Sequence, residues 1–211
     1  MKKLIAILAL LAPIFVHAEY MAEHEQWRKQ RVITSDFSFE VLLDEVDEDR
    51  FAVQAIKIFS RRTGTIFQEI QVIGASDVSA RPDAMIRIVD ANFDGRPDIE
   101  IPFSNGGAGP NFFNQYYIFD RESNRFKLDQ QLSNLSQPSI SQNGTITSSS
   151  RDGCCRHTSE TYRVRKGKLV LIHKWAEESS PDGKWIVTTE QKLRRGMWRT
   201  DIKRTPAEEG N

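Results

Sequence analysis

Apolar residues recur at every second position through most of this chain, and that period decides its fold class. Phe37, Phe39, Val41 and Leu43 alternate with polar or neutral neighbours, as in a strand with one buried face. Residues 51–59 and 66–73 read the same way, joined through Arg61, Arg62, Thr63 and Gly64. Shorter strands are predicted over 85–89, 99–103, 115–120 and 125–128, followed by a polar stretch over 133–150. The C-terminal third carries the clearest pattern, at 158–165, 168–176, 184–191 and 197–204. Its reversals contain Lys166-Gly167, Asp182-Gly183 and Arg195-Gly196, pairs suited to tight hairpins. A four-stranded antiparallel meander is therefore expected there. No long helical period occurs, and no blade-length repeat that a propeller would need. The sequence predicts an all-β fold, an antiparallel sandwich or barrel-like pair of sheets, in a single domain over residues 36–205. Residues 19–35, charged and polar around Trp27, lack a two-residue period and read as a lead-in segment, helical or disordered. Residues 206–211 read as a flexible tail.

The N-terminus is laid out for export. Lys2 and Lys3 precede an uncharged apolar run over residues 4–11, Pro13 breaks it, and Val16-His17-Ala18 offers a cleavage site. That is the order of parts in a secretory signal peptide, 1–18, cleaved after Ala18. The apolar run is short for a membrane span, and no second such run exists. No cysteine follows Ala18 to carry a lipid. The expected location is the periplasm, with full secretion as the lesser alternative, and no transmembrane segment in the mature chain. The whole chain has 29 basic and 29 acidic residues. Losing Lys2 and Lys3 leaves it slightly acidic, which gives no electrostatic basis for nucleic-acid binding.

The most chemically specific segment is Asp90-Ala91-Asn92-Phe93-Asp94-Gly95-Arg96-Pro97-Asp98. Oxygen-bearing side chains fall at loop positions 1, 3, 5 and 9, with glycine at position 6, the spacing that lets a curled loop point alternate oxygens at a hard cation. Arg96 would offer its backbone carbonyl. Position 12 is Ile101, so the bidentate glutamate of an EF-hand is missing, and strands rather than helices flank the loop. The spacing resembles the strand-loop-strand calcium sites of integrin-type FG-GAP repeats. Calcium suits such a flexible carboxylate cage better than magnesium, in a structural role: it would relieve the repulsion among Asp90, Asp94 and Asp98. The competing reading is an ordinary solvated turn rich in Asp, Asn and Gly.

Downstream lie Ser104, Asn105, Gly106, Gly107, Ala108, Gly109, Pro110 and Asn111. Glycines strip this segment of side chains and permit close backbone approach. No lysine and no helix follow, so it is not a phosphate-binding loop. It reads either as a connector between strands or as a partner-binding loop braced by the metal site. The two cysteines are neighbours, Cys154 and Cys155. Export favours their oxidation, and three states compete: a vicinal disulfide ring, free thiols, or bonds to another chain.

No G-x-S-x-G, H-E-x-x-H or C-x-x-C motif occurs, and His173 shares an alternating face with Leu169, Leu171 and Trp175, as a packed side chain would. The chain reads as a binding protein rather than an enzyme. One form of that reading is a peptidoglycan- or carbohydrate-binding module using aromatics such as Tyr116, Tyr117 or Trp185.

Taken in order, the export signal, the D-A-N-F-D-G-R-P-D loop, the G-G-A-G segment, Y-Y-I-F-D at 116–120 and L-S-N-L at 132–135 resemble a family of periplasmic calcium-binding immunity proteins. Those proteins inhibit lysozyme-like peptidoglycan hydrolases delivered by antibacterial secretion systems, and are related to periplasmic inhibitors of i-type lysozyme. The resemblance spans roughly residues 85–175. It implies a β-rich fold, calcium held by Asp90, Asn92, Asp94 and Asp98, and residues 104–111 inserted into the active-site cleft of a hydrolase. Family members are commonly lipoproteins, whereas this chain has no lipidation cysteine.

Overall fold

The computed structural model describes residues 25–74, 78–104, 111–153 and 155–207. Residues 1–24, which include the expected signal peptide, and residues 75–77, 105–110, 154 and 208–211 lie outside them. The fold is all-β: three antiparallel sheets, none closed into a barrel among the described residues, and one four-residue helix. No helix among those residues is long and apolar enough to cross a membrane. Contacts divide the 36–205 region between two compact units, one ending at Met85 and one starting at Ile86.

The first unit holds a four-stranded sheet ordered β1 (Glu25–Ile33), β2 (Phe37–Asp47), β3 (Arg50–Ser60) and β4 (Ile66–Gln71). Phe39, Val41 and Leu43 of β2 bury one face, while β3 buries Ala52, Val53, Ala55, Ile56 and Ile58. β1 corrects the lead-in expectation: residues 25–33 are neither helical nor disordered but pair antiparallel with β2. Its period was hidden by an irregularity between Lys29 and Ile33. Trp27 is half-buried before it, and Gln30 and Val32 turn inward across it, which breaks the alternation. Lys57 of β3 places its ammonium 3.6 Å from the Trp27 ring centre. Gln30 is buried and donates to the Pro82 carbonyl at 2.9 Å and the Arg28 carbonyl at 3.1 Å, while its own carbonyl accepts Met85 N–H at 2.7 Å.

The second unit holds two sheets. One is ordered β5 (Arg87–Val89), β6 (Asp98–Ser104), β7 (Phe113–Asp120) and β8 (Arg125–Leu128). The short helix α1 (Gln130–Ser133) is capped by the Asp129 carboxylate, which accepts Leu132 N–H at 3.0 Å. The other sheet runs in chain order through β9 (Ser139–Ser141), β10 (Thr145–Asp152), β11 (Arg156–Arg165), β12 (Lys168–Ser179), β13 (Trp185–Arg194) and β14 (Met197–Pro206). The expected four-stranded meander is its β11–β14 portion. Lys166 and Gly167 both have positive φ, as a two-residue hairpin turn requires. β9 and β10 lie in the stretch that reads as merely polar. Serines and threonines dominate them, and Ile146 alone is fully buried among their apolar residues. β14 extends through Pro206, the first residue of the expected tail, while residues 208–211 lie outside the described residues. The core of this unit gathers Ala91, Tyr116, Leu132, Leu135 and Ile146, with Val89, Phe93, Ile118, Ile140 and Tyr162 against it.

Candidate functional site

The acidic loop runs from β5 to β6 and is wound around its own carboxylates. Asp90 accepts Asp94 N–H on one oxygen and Gly95 N–H on the other, each at 3.0 Å. Asn92 shares the Asp94 amide at 3.0 Å, and Asp94 accepts Arg96 N–H at 2.9 Å. Phe93 and Gly95 both lie in the left-handed region, with φ of 59° and 80°. For a phenylalanine that conformation is a true outlier; here the alternate positive φ values curl the chain tightly enough for the amides to reach back to Asp90. The Arg96 guanidinium packs over Phe119, 5.4 Å from the ring centre, and leaves the loop interior to backbone. Arg121 donates to the Asp94 carbonyl at 3.3 Å and lies 3.8 Å from its carboxylate.

Asp98 differs from the other members of the motif in being fully buried. One oxygen accepts Ala91 N–H and the other Phe119 N–H, both at 2.9 Å, so a single side chain ties the loop to β7. Burial pushes its carboxyl up to about 6, with the nearby Asp94 charge adding to the shift and the two amides opposing it.

The donor set is all oxygen, and each ionised carboxylate oxygen that accepts one amide keeps a further lone-pair site. In chemistry it suits a hard cation. In geometry it is not a ready-made cage: among the described residues no three acidic, histidine or cysteine side chains converge. Ligation would draw on Asn92 and the Arg96 carbonyl beside the carboxylates.

The glycine-rich segment begins after Ser104, which pairs with Phe113 across the β6–β7 ladder. At its other end Asn111 is a clamp. Its amide donates to the Arg151 carbonyl at 2.8 Å and accepts Arg151 N–H at 2.9 Å, imitating a ladder pair with β10. Gln137 donates to the same Asn111 oxygen at 3.3 Å. The Asn111 side chain is thus committed to holding the base of the segment, a role invisible in its composition. Asn105, Gly106, Gly107, Ala108 and Gly109 lie outside the described residues.

A cleft of about 770 Å³ opens beside the acidic loop, lined by Arg87, Asp90, Phe93, Glu100, Phe112 and Gln137 among others. At its floor Glu100 is buried, accepting Arg87 at 2.7 Å and Asn114 at 3.1 Å, with the Tyr116 hydroxyl as a further partner. Burial raises its carboxyl above the usual range against the pull of Arg87. Sequence reasoning missed this group, although a lone glutamate inside Asp98-Ile99-Glu100-Ile101-Pro102-Phe103 is the signal that would have found it.

Two of the aromatics expected to form an exposed sugar platform are buried instead. Tyr116 is inaccessible in the core and Tyr117 nearly so, its hydroxyl donating to Gln115 at 2.7 Å. Trp185 remains exposed. His173 bonds Glu190 of β13 at 2.9 Å, the packed role its strand position implies. Cys155, in the turn joining β10 to β11, is disulfide-bonded. Cys154, the chain's other cysteine, lies outside the described residues.

No family model matches the chain, and no curated protein matches it. Among solved structures it is similar to one described as a Xanthomonas type IV secretion system related protein. The two share 18% identity with a TM-score of 0.62, over 84% of this chain and 92% of that one. This likeness establishes a common fold. A Bacteroides fragilis protein of unknown function aligns at 9% identity and a TM-score of 0.28, over 89% of this chain and 96% of that one, too low to carry an argument.

Proposed function

We propose that this is an exported cell-envelope protein that inhibits a peptidoglycan hydrolase, as an immunity or lysozyme-inhibitor protein does, by presenting residues 104–111 to the enzyme's active-site cleft. The observation that carries the reading is the anchorage of that segment. Ser104 is held in the β6–β7 ladder and Asn111 is stapled to Arg151 of β10, so the ends are fixed whatever the middle does. A loop with fixed ends loses less conformational freedom on binding, which favours insertion into a cleft. The likeness in fold to a protein related to a type IV secretion system supports the same setting. The N-terminal layout of residues 1–18 supports delivery to the periplasm.

Calcium completes the proposal as a structural ion in the loop of Asp90, Asn92, Asp94, the Arg96 carbonyl and Asp98. Supporting it are the oxygen-only donor set and the tight curl at Phe93 and Gly95. The vicinal ring of Cys154 and Cys155 is proposed as the state of the cysteine pair, supported by the disulfide at Cys155.

The test is a turbidity assay on peptidoglycan with a lysozyme-like hydrolase, first one encoded beside this protein. Stoichiometric inhibition that disappears when residues 105–109 are replaced by an equal length of serine is expected. Undiminished lysis at excess protein, with calcium present, sinks the inhibitor reading. Loss of the tyrosine platform leaves the carbohydrate-binding alternative without its main support, and sedimentation with purified cell wall would show no enrichment.

A further inference from the structure

The six-stranded sheet ends, among the described residues, in an open ladder. β14 pairs with β13 on one side and terminates the sheet on the other, and all ten of its residues are exposed. An edge of this length presents a row of unpaired N–H and C=O groups, which proteins normally blunt or use. Trp198, Thr200 and Ile202 share one face of the strand, and Arg199, Asp201 and Lys203 the other. Trp198 is 43% exposed and Ile202 63%, large for apolar side chains in a regular strand. On the charged face the neighbouring strand supplies the wrong partners. Arg199 stands opposite Lys192, and Asp201 opposite Glu190. Like charges directly across a ladder destabilise it. Glu190 is already bonded by Lys192 at 2.7 Å and by His173 at 2.9 Å.

We infer that β14 is the contact of a homodimer, two copies of the strand pairing antiparallel about a two-fold axis through Thr200. In that register Arg199 of each copy faces Asp201 of the other, which gives both charges the partner that β13 denies them. Trp198 faces Ile202, an aromatic–β-branched pair of the favourable kind, and Thr200 meets its own copy. Each of the flanking contacts occurs twice, as an isologous interface demands. The strand is selective about register: a slip of two residues one way sets Asp201 on Asp201 and Arg199 on Lys203. A slip of two the other way sets Arg199 on Arg199. The occupant follows from this self-complementarity of charge, and the inference stands apart from the inhibitor reading, since neither the acidic loop nor residues 104–111 take part. One strand pair is a small interface, so the dimer is reversible and of micromolar class.

Sedimentation velocity of the full chain from about 1 to 100 μM tests it. A concentration-dependent dimer is expected. Arg199→Asp weakens it by at least about tenfold, and the double variant Arg199→Asp/Asp201→Arg restores it. A register slipped by four residues, which pairs Asp201 with Lys203, is separated by that double variant, because it sets two cations together. Where Arg199→Asp lowers the melting temperature, Asp201→Arg reads the same contact. A protein that stays monomeric throughout, including one whose edge serves another protein's strand, overturns the inference. So does a dimer indifferent to Arg199→Asp, or one the double variant does not recover.

Discussion

Asp98→Ala tests the site at its most buried point. The substitution strands two amides, Ala91 N–H and Phe119 N–H, each bonded to Asp98 at 2.9 Å. Both residues are buried. A buried donor without a partner costs about 1–3 kcal/mol, so the pair costs about 2–6 kcal/mol. Opposing this, burial raises the carboxyl from 3.8 to about 6. At pH 7 the folded protein therefore carries an ionised group that it disfavours by about 3 kcal/mol, and alanine removes that burden. The net effect at pH 7 lies between a gain of about 1 kcal/mol and a loss of about 3 kcal/mol. The sign with pH follows from linkage: a carboxyl whose folded value is raised binds its proton more tightly in the native state. Its contribution is fully present below about 3.8 and is lost as pH rises through about 6. The deficit of the alanine variant should therefore widen by about 2–3 kcal/mol between pH 7 and pH 4. Urea unfolding of both proteins in chelator, followed by tryptophan fluorescence, measures it; other titrating groups are common to the two and cancel in the difference. A deficit that narrows or stays constant on acidification refutes the buried, raised carboxyl. A deficit below about 1 kcal/mol at pH 4 refutes the double amide clamp.

Adding calcium to chelated protein should raise the melting temperature, and Asp94→Ala should abolish the rise; an unchanged transition in differential scanning calorimetry removes the structural ion. Gln30→Ala should cost about 2–4 kcal/mol in denaturant unfolding, because it leaves the Met85 amide and Pro82 carbonyl without their buried partner. Asn111→Ala should cost about 1–2 kcal/mol yet weaken hydrolase inhibition well beyond that, since it frees the base of the segment; equal inhibition by both proteins counts against the anchored-loop account. Asp120, lowered to about 2 by Lys127 and by the Ser123 and Glu122 amides, should keep its stabilising effect above the ordinary carboxylate range and lose it as pH falls through 2. A carboxyl NMR titration of that residue with a midpoint near 4 would falsify the arrangement.

How much was legible in the sequence differs by element. β2 was readable from the alternation of Phe39, Val41 and Leu43, β3 from its run of apolar residues, and the β11–β14 meander from its turns, where Lys166, Gly167, Arg195 and Gly196 all have positive φ. β1 was not, since the irregularity between Lys29 and Ile33 shifts its buried face midway. β9 and β10 were not, because serine and threonine tolerate a half-buried strand as well as a loop. Of the site, the spacing of Asp90, Asn92, Asp94, Gly95 and Asp98 pointed to a curled loop, and the structure shows one wound around Asp90. The spacing did not distinguish Asp98, inaccessible and bonded to β7, from its three neighbours on the loop. Nor did it show that Asn111 pairs with a residue forty positions away.

The sequence alone determined the properties that are local along the chain: the all-β class, the turn positions, the curled acidic loop and the balance of charge. Period, φ preference and short-range amide capping depend on residues a few positions apart, so they survive in one dimension. Only the tertiary structure decided what depends on registers between distant strands. It placed Tyr116 in the core rather than on the surface, put Glu100 at the floor of a cleft, and left β14 as an edge with its charges set against like neighbours. Burial and pairing are sums over strands brought together by the fold, and no single stretch of chain records that sum.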